Sequence, residues 1–326
     1  MFTILKTKEF KIGNRSLLSH QIDSSWNGVD LVIAEYAIRN LELYKWLFFR
    51  RPKLVALWGH GRTYTKSNTS LERWIKNELV RRVDWFFGYT ELGVKSVIEV
   101  GFPDSRTTVV QNSTDTSRLI ALIQQVTDVD IALFKDKHLI NSSNVAVFIG
   151  ALDKSKRLDF LIESAKALRH TIPDFQLIIF GEGPEHSTIQ QAVKESGLIT
   201  FGGRADLQTQ AILSKVAKFI MMPGRVGLIA VDSFALGLPI VTTNWTWHAP
   251  EFEYLTHGIN SIIAEDTVED YVESILNLLR NSDYLQELRI KCFQDSQQYT
   301  IETMALNFHQ GVLKVLELTD TSENIF

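Results

Sequence analysis

Short apolar runs without strict alternation recur along the first half of the chain. Such runs predict strands covered on both faces, and apolar residues spaced every three or four positions predict helices. The predicted strands are 29–35, 54–58, 83–89 and 107–111. The predicted helices between them are 37–49, 71–82 and 91–99. This strand–helix order indicates a parallel sheet with helices packed against it.

A polar stretch at 112–143, in which we expect one helix, separates the first alternation from a second. The strands predicted after it are 145–149, 175–180, 199–201, 218–222 and a last one from Ile240. The predicted helices are 158–169, 186–196, 207–216, 227–236, 268–279, 284–296 and 301–318. The pattern predicts an α/β fold with two Rossmann-like, doubly wound domains, 1–125 and 126–300. We expect the last helix, 301–318, to pack back on the first domain.

The segment 219–241 (FIMMPGRVGLIAVDSFALGLPIV) indicates the chemistry most directly. A hydrophobic strand runs into a Pro-Gly turn, Gly227 opens a helix, and that helix carries one acid, Asp232. A helix N-terminus binds anions through its unpaired N–H groups and the positive end of its dipole. An acid one turn inside the helix reaches ribose hydroxyls while the N–H groups hold phosphate. The segment therefore predicts a nucleoside-diphosphate site.

Composition excludes several protein classes. The 326 residues are 45% hydrophobic and 22% charged, which is typical of a globular protein. The single cysteine, Cys292, excludes both a disulfide framework and a cysteine metal site. No uncharged apolar run reaches ~18 residues, and the N-terminus does not resemble a signal peptide. The eight histidines show no metal-ligand spacing. We expect a cytoplasmic protein that needs neither metal nor cofactor and binds no nucleic acid.

Charge is divided unevenly along the chain. Residues 1–118 hold 18 Lys and Arg against 12 Asp and Glu, whereas residues 119–326 hold 16 against 26. The basic half indicates an anionic partner, such as lipid headgroups or phosphates, or simply a solvated surface. Residues 72–87 fit either an interfacial membrane helix with Trp74 on its apolar side or a helix facing the core. Peripheral contact with the inner face of the membrane is thus a further expectation.

Four segments of the second half and one of the first share the order and spacing of a known family. They are VFIGALDKSKRLDFLIESAKAL (147–168), FQLIIFGEGPE (175–185) with FGGR (201–204), PGRVGLIAVDSFALGLPIVTT (223–243), HAPEFEYLTHGINSII (248–263) and FFGYTELGVKSVIEVGFPDSRTTVVQNSTDT (86–116). Together they resemble the retaining nucleotide-sugar glycosyltransferases of the GT-B fold, glycosyltransferase family 4 (group 1). The resemblance runs from about residue 50 to the C-terminus and implies two Rossmann-like domains facing a cleft.

The resemblance also implies roles for individual residues. Asp232 stands where the family binds ribose hydroxyls, and Lys156 where a basic residue neutralises the leaving diphosphate. His60 stands where a histidine lies near the transferred sugar, so His60 and Lys156 are the expected catalytic residues. The expected donor-binding residues are Gly150, Lys154, Arg157, Glu182, Gly183, Gly203, Arg204, Arg225, Val226, Gly227, Leu228 and Asp232. On the acceptor side we expect Arg62, His248 and Glu251.

Three departures from the family pattern accompany the resemblance. The first acid of the family's paired-carboxylate motif would fall at Gly224, and the arginine of its Gly-Arg motif falls at Ala151. The family's first strand and glycine-rich loop are not evident before Val29, which indicates a shortened N-terminal domain. A branch of the family with these replacements would explain the first two departures together.

The resemblance implies an enzyme that moves a hexose-type sugar, with retention, from a UDP- or GDP-sugar to a glycan or lipid-linked acceptor. Bacterial surface polysaccharide synthesis is the expected setting. The departures leave two alternatives open: a non-catalytic nucleotide-sugar-binding scaffold relative, and a GT-B sugar epimerase.

Overall fold

A computed structural model describes residues 6–12, 15–20, 28–49, 52–64 and 69–323, and side chains up to residue 318. The chain forms two compact units. Unit 1 comprises Met1–Asn112 and Glu302–Phe326, and unit 2 comprises Ser113–Ile301. None of the helices in these described stretches is long and apolar enough to cross a membrane.

Unit 1 contains a hairpin and a parallel sheet. The antiparallel hairpin consists of β1 (Thr7–Ile12) and β2 (Arg15–His20). The sheet consists, in spatial order, of β3 (Leu31–Glu35), β4 (Leu54–Gly59), β5 (Trp85–Gly88) and β6 (Thr107–Val109). The helices of this unit are α1 (Leu41–Phe48), α2 (Ser70–Arg81), α3 (Glu91–Ile98) and, at the C-terminal end, α12 (Ile301–Glu323).

The two faces of the unit 1 sheet are covered by different helices. Val55 and Leu57 of β4 pack in one cluster with residues of α1, α2 and α3. Ala56 lies in a second cluster on the opposite face, together with Val315 of α12. Strands laid down in chain order with right-handed crossovers carry all their helices on the same face. The C-terminal helix therefore supplies the cover for the other face.

Unit 2 is a six-stranded parallel sheet between two layers of helices. Its strands are β7 (Val145–Ile149), β8 (Gln176–Phe180), β9 (Ile199–Gly203), β10 (Phe219–Met221), β11 (Ile240–Thr243) and β12 (Ser261–Ala264), in the spatial order β12-β11-β10-β7-β8-β9. Its helices are α4 (Ser117–Gln125), α5 (Asp128–Lys137), α6 (Leu158–Thr171), α7 (His186–Ser196), α8 (Leu207–Val216), α9 (Ile229–Leu236), α10 (Val268–Arg280) and α11 (Ser282–Ser296).

Most predicted elements are present, with differences at the ends of the chain and in the polar stretch. The sequence pattern missed the β1–β2 hairpin and β12, and it predicted one helix at 112–143 where the structure has α4 and α5. The chain passes from unit 1 to unit 2 after Asn112, at the start of the polar stretch 112–143. The reason is that α4 packs on unit 2, where Leu119 is buried in the core. In unit 1 the described strands run in chain order, and the reversal of a doubly wound sheet is found in unit 2.

Candidate functional site

The strand order of unit 2 places a candidate site at one end of its sheet. The chain leaves β7 toward β8 and β9 and then returns to the other side of β7 with β10. Ligands of open α/β sheets bind at the carboxyl ends of the strands that flank such a reversal. There β7 leads into Gly150 and the turn 153–157, and β10 leads into residues 222–228. We call these segments the 153–157 turn and the 222–228 loop.

The residues that follow β8, the strand next to β7, contact the backbone at this end of the sheet directly. A Cβ on Gly181 would lie 1.9 Å from the carbonyl oxygen of Gly150, and one on Gly183 would lie 2.4 Å from that of Leu152. The amide of Leu152 donates to the carbonyl of Glu182 at 2.9 Å. Glycine is required at 181 and 183 because the two backbones touch, and the Glu182 side chain is exposed beside them.

The 222–228 loop is fastened to the 153–157 turn. The amide of Arg225 donates to the carbonyl of Ser155 at 2.8 Å, and Lys156 Nζ donates to the carbonyl of Arg225. A Cβ on Gly224 would lie 2.4 Å from the Ser155 carbonyl oxygen and 2.5 Å from the carbonyl carbon of Lys156. Position 224, where the family resemblance called for an acid, therefore has no room for any side chain.

Lys156 supplies a positive charge where the 153–157 turn meets the 222–228 loop. Burial lowers its pKa to about 8; the nearby Asp153 opposes this shift and Arg225 adds to it. A lysine charge held in a partly dry site interacts more strongly with an anion than a solvated one does. The side chain is thus suited to meet a phosphate charge between β7 and β10.

The other basic residues of the site differ in how they are engaged. Arg157 forms an ion pair with Asp266, donates to the carbonyl of Pro223 at 3.3 Å, and stacks 4.5 Å from the ring of Phe160. Through these contacts Arg157 holds the 222–228 loop in place. Arg225 donates from Nη1 to the Trp247 carbonyl at 3.2 Å. Lys154 is exposed on the same turn, and Arg204 is exposed beyond Gly203 at the end of β9.

Helix α9 follows the loop directly. The carbonyls of Gly227 and Leu228 accept the amides of Ala230 and Val231, both at 2.9 Å, so the first helical turn begins there. Its N-terminal dipole favours a negative charge at the loop. Gly227 and Leu228 thus form the end of the 222–228 loop, whose Arg225 carbonyl accepts from Lys156 Nζ, and their predicted role in holding a diphosphate stays a prediction.

Asp232 lies in the first turn of α9, and burial raises the pKa of its carboxyl group. Thr114 donates its hydroxyl to Asp232 Oδ1 at 3.2 Å. Sequence reasoning did not single out Thr114, because 118 residues separate the two partners and no motif joins them. Asp266, the partner of Arg157, was missed for the same reason.

His248 and Glu251 lie behind the loop. His248 Nδ1 accepts the amide of Val226 at 3.1 Å, and Nε2 lies 2.9 Å from the carbonyl of Thr243. A ring with these partners is neutral and carries its proton on Nε2, and burial lowers its pKa to about 4. The His248 ring thus connects the 222–228 loop to Thr243 through hydrogen bonds of both ring nitrogens. Glu251 is 3% exposed, and its Oε2 lies 3.8 Å from a Cβ built on Gly227.

His60 and Arg62 belong to unit 1. His60 is exposed after β4, with its ring 4.6 Å from that of Tyr89, and the Arg62 guanidinium lies 4.6 Å over the ring of Tyr64. Between them, Gly61 contacts Gly93 so closely that a Cβ on Gly61 would lie 2.0 Å from the Gly93 carbonyl oxygen. This contact fixes the turn that carries both side chains, and their predicted roles stay predictions.

Within the described stretches, no three histidine, cysteine, aspartate or glutamate side chains are grouped so that they would hold a metal ion. The ionic chemistry of the candidate site rests on Lys156 and Arg225, with the N-terminus of α9 beside them. Such a set is suited to an organic anion with more than one charge, as a diphosphate is.

Comparison with known families gives a match to the second unit. Residues 143–281 match the family model described as Glycosyl transferases group 1. This range contains the 153–157 turn, the 222–228 loop and α9.

Two curated relatives are similar over parts of the chain. One is the 2-deoxystreptamine N-acetyl-D-glucosaminyltransferase of Niallia circulans, 22% identical over 151 residues, which are 44% of this chain and 38% of that protein. The other is the phosphatidyl-myo-inositol mannosyltransferase of Mycolicibacterium smegmatis, 26% identical over 125 residues, which are 36% of this chain and 32% of that protein. The matches thus span about a third of the length of each relative.

Solved structures resemble the chain over most of its length. Anabaena HepE in complex with UDP has a TM-score of 0.69 at 15% identity, covering 87% of this chain and 78% of that one. The sucrose-phosphate synthase of Thermosynechococcus elongatus has a TM-score of 0.68 at 14% identity, covering 90% and 75%. At these identities the likeness shows the fold, which is that of the GT-B glycosyltransferases.

Proposed function

We propose that this chain, which carries a group 1 glycosyl transferase domain in a GT-B fold, transfers a hexose-type sugar, with retention, from a UDP- or GDP-sugar to an acceptor. The acceptor is a glycan or lipid-linked glycan of bacterial surface polysaccharide synthesis, and the enzyme works in the cytoplasm at the inner face of the membrane. Relatives named as N-acetylglucosaminyl- and mannosyltransferases, and HepE crystallised with UDP-glucose, support a hexose-type donor.

The observation that carries this proposal is the contact of Lys156 with the 222–228 loop at the reversal of the unit 2 sheet. In the reaction, the bond between the sugar C1 and the diphosphate oxygen breaks, and the diphosphate leaves with the electron pair. The acceptor hydroxyl oxygen then bonds to C1 on the same face, and its proton passes to the oxygen of the leaving diphosphate. Lys156 and the N-terminus of α9 stabilise the charge that develops on the leaving oxygen.

The remaining residues of the site bind and orient the donor. Asp232 accepts hydrogen bonds from the ribose hydroxyls, and the hydrogen bond from Thr114 orients its carboxylate. Arg225 adds a second positive charge beside Lys156. Arg157 and His248 hold the backbone of the loop in place. Independence of metals and cofactors stays a prediction.

A donor screen tests the proposal. Thermal shifts with UDP-, GDP- and ADP-sugars would identify the nucleotide, and release of nucleoside diphosphate would then measure turnover with and without candidate acceptors. Lys156→Ala is expected to lower kcat by about a hundredfold, because one lost charge-stabilising donor costs about 3 kcal/mol in the transition state. The matched control is Lys215→Ala, which changes an exposed lysine of α8 and should leave kcat unchanged.

Three results would contradict the proposal. Equal kcat in Lys156→Ala and the wild type would show that Lys156 does not stabilise the leaving diphosphate. Thermal stabilisation by a nucleotide-sugar without any release of diphosphate would favour a binding-only relative, as the crowded position 224 also does. Epimerised nucleotide-sugar formed without an acceptor would identify a sugar epimerase.

A further inference from the structure

The strand order of unit 2 sets the direction in which a donor lies across the candidate site. Glu182 and Arg204, which the family resemblance assigns to the donor, follow β8 and β9 on one side of β7. Lys156 and the N-terminus of α9, proposed for the diphosphate, follow β7 and β10 at the reversal. Neighbouring strands are about 4.8 Å apart. With the nucleoside over β8 and the diphosphate at the reversal, the sugar extends toward β10 and β11.

Arg225 lies on the sugar side of the diphosphate. It is a half-buried residue of the 222–228 loop, which follows β10. Its Nη1 donates to the carbonyl of Trp247 at 3.2 Å, and Trp247 belongs to the segment that follows β11. The guanidinium therefore lies between the loop after β10 and the segment after β11, on the side of the reversal away from β8.

The 222–228 loop, with the sequence MPGRVGL, carries one charged side chain, that of Arg225. Position 224 has no room for an acid, so the loop offers the sugar a guanidinium and no carboxylate. A carboxylate accepts hydrogen bonds from sugar hydroxyls, whereas a guanidinium has five N–H donors and no acceptor. Such a loop favours a sugar that brings a negative charge of its own.

The charge of Arg225 is felt by the groups around it. It lowers the pKa of Lys156 and of His248, in addition to the larger effect of burial on both. Arg157 differs, because Asp266 forms an ion pair with it. Two cations held close together repel each other, and this repulsion is relieved when each of them meets an anionic group. Lys156 meets the diphosphate, which leaves Arg225 to meet a second anionic group of the donor.

We propose that the Arg225 guanidinium binds a carboxylate on the transferred sugar, so that the donor is a nucleoside-diphosphate uronic acid. A guanidinium and a carboxylate match in shape and form two parallel hydrogen bonds. With five N–H donors, the guanidinium can hold the Trp247 carbonyl and a carboxylate at once. The inference rests on the proposed function, because it needs the diphosphate at Lys156, and it narrows the hexose-type donor to one oxidised at C6.

Matched pairs of donors test the proposal on the full chain. The two members of a pair share base and sugar ring and differ only at C6: UDP-glucuronate with UDP-glucose, UDP-galacturonate with UDP-galactose, and GDP-mannuronate with GDP-mannose. Calorimetric titration gives the Kd of each donor. In the pair that binds most tightly, the uronate should bind about a hundredfold more tightly than its neutral partner, because it gains a close charge pair with two hydrogen bonds.

Three variants assign this preference to Arg225. Arg225→Gln should weaken binding of the uronate by about a hundredfold and binding of the neutral partner, UDP or GDP by at most about threefold, which also shows that the site is still folded. Arg225→Lys keeps the charge but loses the paired hydrogen bonds, so it should bind the uronate about tenfold more weakly than the wild type. The matched control is Arg280→Gln at the exposed end of α10, which should bind every donor as the wild type does.

Equal or weaker binding of the uronate in every pair that binds would overturn the proposal and leave the proposed function intact. An equal loss of affinity for UDP, GDP and the uronates in Arg225→Gln would place the guanidinium on the diphosphate and overturn it as well. Failure of all these donors and of both free nucleotides to bind would contradict the proposed function itself, and the inference with it.

Discussion

At the scale of single residues, Gly224 explains why the site differs from the family pattern. Its Cα lies against the backbone of Ser155 and Lys156, so no side chain fits there. The missing carboxylate is therefore a consequence of how the 222–228 loop rests on the 153–157 turn. In place of an acid the chain presents Arg225, whose charge lies close enough to Lys156 to lower its pKa further.

Gly224→Ala tests this close contact. The new methyl group would meet backbone atoms, so the loop has to shift. We expect the free energy of unfolding to fall by about 1–3 kcal/mol. The affinity for the nucleotide should fall as well, because Arg225 and Gly227 move with the loop. Urea unfolding and a calorimetric titration with UDP and GDP measure the two effects.

Gly150→Ala is the matched control for stability. A Cβ there would have its nearest neighbours at 3.5 and 3.6 Å, which is ordinary contact. This variant should unfold like the wild type to within about 0.5 kcal/mol. Wild-type stability and nucleotide affinity in Gly224→Ala would show that position 224 has space after all.

Some residues of the candidate site are predictable from the sequence and others are not. Lys156, Gly227 and Asp232 stand in local strand–turn–helix patterns, and such patterns are visible in one segment of sequence. Thr114 and Asp266 reach the site only through the fold, from segments far away in the chain. Burial of Lys156, which sets its pKa, depends on the packing of two loops and was likewise not predictable.

At the scale of elements, the C-terminal helix α12 completes unit 1. Phe308 stacks on Phe87 at 4.7 Å, and Val315 is buried in the same cluster. Gly311 lies between these contacts, and a Cβ there would be 2.5 Å from the Phe87 ring and 2.6 Å from Thr108 Oγ1. The absence of a side chain at 311 lets the helix approach the sheet.

Gly311→Ala should therefore lower the free energy of unfolding, although a glycine-to-alanine change in a helix usually raises it. In an exposed helix this change stabilises by about 1 kcal/mol. Here neither neighbour yields easily, because Phe87 is fully buried and Thr108 accepts a hydrogen bond from the Trp85 indole at 2.9 Å. We expect a net loss of about 1–2 kcal/mol in the free energy of unfolding. Gln310→Ala, on the exposed side of α12, is the control, and a stabilised Gly311→Ala would contradict this packing.

The elements that sequence reasoning missed share a physical cause. The hairpin strands β1 and β2 pair with each other and carry charged residues at several positions, so no apolar run marks them. Strand β12 has only four residues and follows a turn-rich segment. Long amphipathic helices and β-branched buried strands were predicted to within a few residues, since their periodicity is imposed by burial on one or both sides.

At the scale of the whole molecule, the two units divide the candidate chemistry. Unit 2 holds the residues proposed to bind the donor, around the reversal of its sheet, and unit 1 carries His60 and Arg62. The charge difference between the two halves of the sequence follows this division. The polar segment after Asn112 belongs to unit 2, because Leu119 is buried in the core of that unit.

The pH dependence of turnover tests the proposal that Lys156 carries the charge that stabilises the leaving diphosphate. A lysine acts in this way only when protonated, so its contribution is present below its pKa and is lost as the pH rises through it. Burial lowers this pKa from 10.5 to about 8. Donor consumption, measured as kcat/KM against pH, reports the ionisation of the free enzyme.

We expect kcat/KM of the wild type to fall about tenfold per pH unit above pH 8. Lys156→Arg keeps a charge throughout this range, so its lower activity should stay level to about pH 10. A wild-type profile that is level across that range, or a decline shared equally by Lys156→Arg, would contradict the role assigned to Lys156.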